Sequence, residues 1–145
     1  MSFKNLEAFK KRLDKKLIIN GNKNAYQAVS RSTMFVEAAV QKSIKQKGTG
    51  RTYSRAGLPP HIASKAGSPP ATDLGFLGQN ITIDVSRKKN GSVVGQIISS
   101  APYSKSLEYG TVNMQPRPFM QPALRKSKKK ILDIFKQEGV IRRWA

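Results

Sequence analysis

Arg117 and Phe119 sit between Pro116, Pro118 and Pro122, and here the residue types and spacing point most directly to chemistry. That chemistry is recognition. Proline fixes φ and removes a donor, so the segment is stiff and extended. A stiff loop presenting an arginine and an aromatic suits an interface. The preceding amphipathic turn, Tyr103 to Tyr109, adds Tyr103, Leu107 and one acid, Glu108, before a break at Gly110 and Thr111. Tyr103 and Leu107 are four apart and share a helical face. With Arg117 and Phe119 folded back over them, they are expected to form one packed unit. Upstream, Arg51, Tyr53, Arg55 and His61 are further groups able to grip a partner. These nine residues are the candidate interface. The plainer reading of 116–122 is a rigid lead-in to a helix.

A catalytic reading finds no comparable support. His61 is the only histidine and there is no cysteine, so a zinc site of nitrogen and sulfur ligands cannot be assembled within one chain. The eight carboxylates are scattered and form no tight cluster for Mg²⁺ or Ca²⁺. Gly48-Thr-Gly50-Arg51 lacks the spacing of a phosphate-cradling loop, and nothing resembles a nucleophile elbow. The expectation is a non-enzymatic protein without cofactor or metal.

The charge is extreme, with 27 Lys and Arg against 8 Asp and Glu, a net +19 over 145 residues. Residues 1–47 carry 11 basic and 3 acidic groups, and residues 111–145 carry 9 and 2. Most of the excess therefore sits in the two terminal segments. Such a balance attracts polyanions or acidic protein surfaces. Lys10, Lys11, Lys15 and Lys16, and Lys126, Lys128, Lys129 and Lys130, are the residues able to track DNA phosphates without reading sequence. The commoner outcome for such runs is a solvated helix face. Few aromatics interleave with them, which weakens the case for a base-stacking platform. No segment approaches the roughly 18 apolar residues of a membrane span, and the basic N-terminus has no apolar core of a secretory signal.

The elements that must position these groups follow from periodicity. Phe3, Leu6, Phe9, Leu13 and Leu17 predict a helix over about 3–18, and Asn20-Gly21-Asn22 predicts a break. A second helix is expected from about Asn24 to Lys47, with Tyr26, Val29, Phe35, Val36, Ala39, Val40 and Ile44 inward. Residues 48–71, with four prolines and little periodicity, read as one long extended loop. Thr72 or Asp73 is placed to cap a short turn through Leu77. Ile81, Ile83 and Val85 alternate with polar residues, Asn90-Gly91 marks a turn, and Val93 to Ser99 returns. The return strand is apolar on both faces, which predicts cover on both. A last helix opens at Pro118 or Pro122 and runs to about Gln137, with Leu124, Ile131, Ile134 and Phe135 inward. The sum is a single α+β domain over 1–145: long N-terminal helices and a C-terminal helix on a small antiparallel sheet built around a hairpin. Two strands alone are marginal, so further strands or neighbouring copies are expected to complete the sheet.

Several stretches occur in an order that resembles one family. They are Gly50-Arg-Thr-Tyr53, His61-Ile-Ala-Ser-Lys-Ala-Gly67-Ser-Pro-Pro70, Asp73-Leu-Gly75-Phe-Leu77 with Ile81, Tyr103-Ser-Lys-Ser-Leu-Glu108-Tyr-Gly110-Thr111, Arg117-Pro-Phe119 and Pro122-Ala123. The set is similar to the gene-product-ten-like tail-component family of siphophages, over about residues 48–124. It departs at Phe76, where members often carry a basic or polar residue. The resemblance implies a structural virion protein, a neck or head–tail connector subunit in a homo-oligomeric ring around the DNA channel. Implied partners are the head connector and head-completion proteins, tail terminator or tail tube proteins, and genomic DNA, with no membrane. Implied locations are the virion junction and, during assembly, the host cytoplasm. A ring subunit can carry a long Gly/Pro loop because its neighbour orders it. The alternative is a small basic protein that binds nucleic acid without sequence preference.

Overall fold

The computed structural model describes the backbone of residues 3–71 and 73–141, and within these the side chains from residue 22 onward. In chain order the elements are α1 (Phe3–Ile44), β1 (Thr52–Arg55), β2 (Leu58–Ile62), α2 (Phe76–Gln79), β3 (Ile81–Arg87), β4 (Val93–Ser99), α3 (Ser104–Tyr109) and α4 (Met120–Gln137). The class is α+β, with two separate antiparallel sheets of two strands each.

The predicted break at Asn20–Asn22 is not a break. One helix of 42 residues runs through it. A glycine inside a helix costs only about 1 kcal/mol relative to alanine, which the flanking turns outweigh. The inward stripe of α1 also differs from expectation. Ala28, Ser32, Thr33, Val36, Val40 and Ile44 are buried, while Phe35 and Tyr26 are more than a third exposed. The buried stripe recurs at four-residue steps, so it is one face of the helix.

Helix α4 packs along α1 in the opposite direction. Ala123 near its start joins Val36, Val40 and Ile44 in the core, and Glu138 just past its end meets Arg31. On α4 the buried residues are Ala123, Ser127 and Ile134, whereas Leu124, expected inward, is half-exposed. Ser127 donates its hydroxyl to the Ala123 carbonyl at 2.8 Å, so burying it leaves no orphaned donor.

Strands β3 and β4 pair in register from Ile81 opposite Ser99 to Arg87 opposite Val93. The turn is closed by Gly91 N–H donating to the Lys88 carbonyl, with Gly91 at φ 81°. Asn90 keeps negative φ, so glycine alone supplies the left-handed residue. One face of this hairpin lies on α1. Gly95 marks the closest approach, since a Cβ there would fall 2.0 Å from Thr33 Oγ1. Arg87 stacks over the Tyr26 ring at 5.3 Å and donates to the Asn22 carbonyl. The opposite face is not covered within the protomer: Thr82, Asp84, Gln96 and Ile98 are exposed.

Residues 48–71 are not a single extended loop. They contain β1 and β2, paired Thr52 to Ile62, Tyr53 to His61 and Arg55 to Leu58. Three steps on β2 match two on β1, and the surplus falls at Pro59-Pro60, which have no N–H to offer the ladder. Gly50 and Ala63 prolong the pairing through Gly50 N–H to Ala63 O and Ala63 N–H to Arg51 O. The β1–β2 and β3–β4 sheets do not join.

The core draws on every helix but α3 and on β3: Val36, Val40, Ile44, Leu77, Ile81, Ala101, Phe119 and Ala123 are buried together, with Leu107 against them. Phe119, at 0% exposure, is the largest fully buried side chain in it. Phe119→Ala is expected to lower stability by about 3–5 kcal/mol, read by urea denaturation. A loss below about 1 kcal/mol would mean that the ring is not packed in solution.

Candidate partner-docking pocket

Of the nine residues singled out for recognition, the structure sorts eight into three groups and pairs the ninth, Arg55, with Asp73. Glu108 and Phe119 face inward. Glu108 is only 8% exposed, and its carboxylate accepts three backbone N–H groups from the start of α4. These are Phe119 at 2.8 Å and Met120 at 3.0 Å on Oε2, and Gln121 at 2.9 Å on Oε1. A helix leaves its first four N–H groups without intrahelical partners. Here three are taken by one carboxylate, and the fourth position is Pro122, which has no N–H. The negative charge also meets the positive end of the helix dipole. Both residues are thus corrected from interface groups to internal ones: their polar and apolar atoms are consumed within the protomer.

His61, Tyr103, Leu107 and Arg117 form the second group. They come from three separate stretches and line one cavity of about 460 Å³, with Asp73, Leu74 and Phe76 among its other walls. The anticipated packed unit is therefore reassigned. Leu107 does meet Phe119 in the core, but the Tyr103 ring lies against Phe76, centroids 6.0 Å apart, because Phe119 points into the core and away from the pocket.

Backbone hydrogen bonds hold the cavity in shape. Arg117 N–H donates to the Leu107 carbonyl at 2.7 Å, and Gly67 N–H to the Pro116 carbonyl at 2.9 Å. Thr111 and Met114 exchange two backbone bonds, closing a tight turn with Val112 fully exposed at its tip. The Pro116–Pro118 segment is thereby tied to α3 on one side and to the 65–68 turn on the other.

Asp73 was expected to cap α2, with Thr72 as the other candidate. Thr72 lies outside the described residues. The cap position of α2 is Gly75 and receives no side-chain bond. Asp73 instead takes the Arg55 guanidinium through both oxygens, with Nη2 to Oδ1 at 2.8 Å. His61 Nδ1 stands 3.6 Å from the same Oδ1. Hydrogen bonding from Arg55, and then the nearby positive charge, hold the Asp73 carboxyl below its ordinary range and raise Arg55. The pair is about one-third exposed, so solvent screening keeps its contribution small.

Arg51, just before β1, and Tyr53 on it make up the third group, and both are exposed. The Arg51 guanidinium lies 5.5 Å from the Tyr53 ring centroid. Among the lysines, Lys126, Lys128, Lys129 and Lys130 are exposed on α4, and none takes part in an ion pair among the described residues. Lys10, Lys11, Lys15 and Lys16 have side chains outside the described residues. Among the described residues no cluster of three or more metal-ligating side chains occurs, and no helix is long and apolar enough to cross a membrane.

Sequence reasoning missed Asp73 as the partner of Arg55, and it missed Leu74 and Phe76 as walls. No local signal marked the pair, since Arg55 and Asp73 lie 18 positions apart in a stretch that reads as loop. Comparison of the chain with models of known families, with curated proteins and with solved structures finds no match.

Two outcomes follow from this geometry. Glu108→Gln replaces one acceptor by a donor facing backbone N–H groups, and should cost about 1.5–3 kcal/mol in denaturation. Asp73 has a lowered folded pKa, so its contribution is complete above the ordinary aspartate range and is lost as pH falls through the folded value. The melting-temperature gap between the natural chain and Asp73→Asn should therefore close at acid pH, and a gap that stays constant would contradict the pairing.

Proposed function

We propose that this chain is a neck subunit of a tailed bacteriophage. In this reading it is a structural virion protein that forms a ring around the DNA channel and joins the head connector to the tail. The observation that carries it is the β1–β2 hairpin. Tyr53, Leu58 and Ile62 on this hairpin are all close to half exposed, and the two strands make their extensive contacts with one another and with no other element. A hairpin with apolar side chains left half-exposed suits a subunit whose neighbour supplies the missing cover. Pro59 and Pro60 deprive one strand of donors, which disfavours open-ended strand addition and favours a contact made by side chains.

Further support comes from the ordered resemblance over 48–124 and from the charge. The exposed lysines of α4 suit a lumen that carries DNA, where phosphates are met without base readout. Head-completion proteins on one side and tail terminator or tail tube proteins on the other are the partners this role requires. No catalytic role is part of the reading.

The natural chain should sediment as a closed oligomer without nucleic acid. A variant with residues 52–62 replaced by a flexible linker should be monomeric, with its helical circular dichroism retained. A chain that stays monomeric at all concentrations, yet binds DNA with a steep salt dependence, would favour the nucleic-acid-binding reading instead. If the α4 lysines face phosphate, reversing all four to glutamate should lower the log–log salt slope of DNA binding by about 3–4. An unchanged slope would assign them to protein partners or to solvent.

A further inference from the structure

Arg117 is held as though waiting for an anion. Its Nε is buried and has no hydrogen-bond partner, and among the described residues no carboxylate lies within ion-pair distance of its guanidinium. Its backbone is fixed by the bond to Leu107 and by a proline on each side. A buried guanidinium N–H without a partner carries a desolvation cost, and such a group in a native fold calls for an explanation. The acid that lines the same cavity is Asp73, and both of its oxygens are already engaged by Arg55. The Asp73 and Arg55 charges offset one another, so the cavity keeps the positive charge of Arg117.

We infer that this cavity is a docking site for an acidic peptide segment of a partner protein, in which a carboxylate flanked by aliphatic or aromatic side chains pairs with Arg117. Arginine's planar fork matches a carboxylate in a two-pronged geometry. The volume of about 460 Å³ falls in the range of a ligand site and exceeds what one carboxylate fills. Apart from Arg117, Asp73, His61 and Ser64 the walls are largely apolar, and Leu74 (69%), Phe76 (48%) and Tyr103 (43%) leave more apolar surface open than a small anion would cover. An arginine at the floor of a pocket with an aromatic rim is the composition of an interface anchor. The net +19 of the chain steers acidic segments toward it. This inference deepens the assembly reading by giving the chemistry of one partner contact, and its test does not depend on ring formation.

The test is selection of a display library of random short peptides on the immobilised chain, in parallel with Arg117→Gln and Arg117→Lys, each checked for an unchanged denaturation midpoint. The natural chain should enrich peptides with an acid beside aliphatic or aromatic residues. A selected peptide should bind Arg117→Gln about tenfold more weakly or worse. Its analogue with glutamine for the acid should lose as much on the natural chain and nothing further on Arg117→Gln. Arg117→Lys should fall between, since it keeps the charge and loses the fork. The inference is overturned by any of four results. They are no enrichment, enrichment of peptides without an acid, equal binding to Arg117→Gln, or displacement by acetate at concentrations matching the peptide's own affinity, which would indicate a site for free small carboxylates. Should Arg117→Gln unfold, Tyr103→Ala, at the half-exposed rim, serves in its place, and undiminished peptide binding to it would sink the proposal equally.

Discussion

One buried carboxylate organises the half of the molecule that carries the candidate site. Glu108 accepts the N–H groups of Phe119, Met120 and Gln121, and so joins α3 to the start of α4. Between them the chain has only the Gly110–Pro118 segment in which to turn. With both ends of that segment fixed, the Arg117 backbone bonds Leu107 and Pro116 receives Gly67. Phe119 is driven into the core beside Val40 and Ile44. Arg117, two residues earlier, faces the cavity. Without the carboxylate, the buried Phe119 N–H would be unsatisfied, costing about 1–3 kcal/mol, and the part-buried bonds of Met120 and Gln121 would be lost with it.

This explains how one short stretch can be both core and surface. Glu108 and Phe119 hold the stretch in place, and Tyr103 and Arg117 are what it holds out. Across the cavity the β1–β2 hairpin is fastened in a comparable way, by Arg55 gripping Asp73. That pair is partly exposed and correspondingly weak, whereas the Glu108 cap is buried. The pocket thus has one firm wall and one more loosely fastened, and the apolar side chains of the hairpin beside it stay half-exposed.

Legibility in the sequence followed the physics of each element. The β3–β4 hairpin was readable because its side chains alternate and Asn90-Gly91 marks the turn, and α4 because its apolar residues keep helical period to Gln137. The β1–β2 hairpin was not, since its side chains are nearly all exposed and Pro59-Pro60 mimic a loop. The continuity of α1 through Gly21 was hidden because glycine signals a break more strongly than it causes one. Hydrophobicity also misplaced Phe35 and Leu124, because the buried positions of α1 and α4 include small and polar residues, Ala28, Ser32, Ala123 and Ser127. At the site, stiffness of the Pro116–Pro122 segment and the prominence of Arg117 were readable from proline spacing. The role of Glu108 was not, because its partners lie 11 to 13 residues away. Only Pro122, a missing donor just after three present ones, hinted at an external acceptor.

Amide hydrogen exchange at the first turn of α4 tests this account most directly. If the Glu108 carboxylate holds Phe119, Met120 and Gln121, their amides should be protected as strongly as those in the middle of α4, and Glu108→Gln should release them while the later turns remain protected. Exchange at those three amides in the natural chain as fast as at an uncapped helix start would contradict the account, because the one contact that places both the core phenylalanine and the pocket arginine would then be absent in solution.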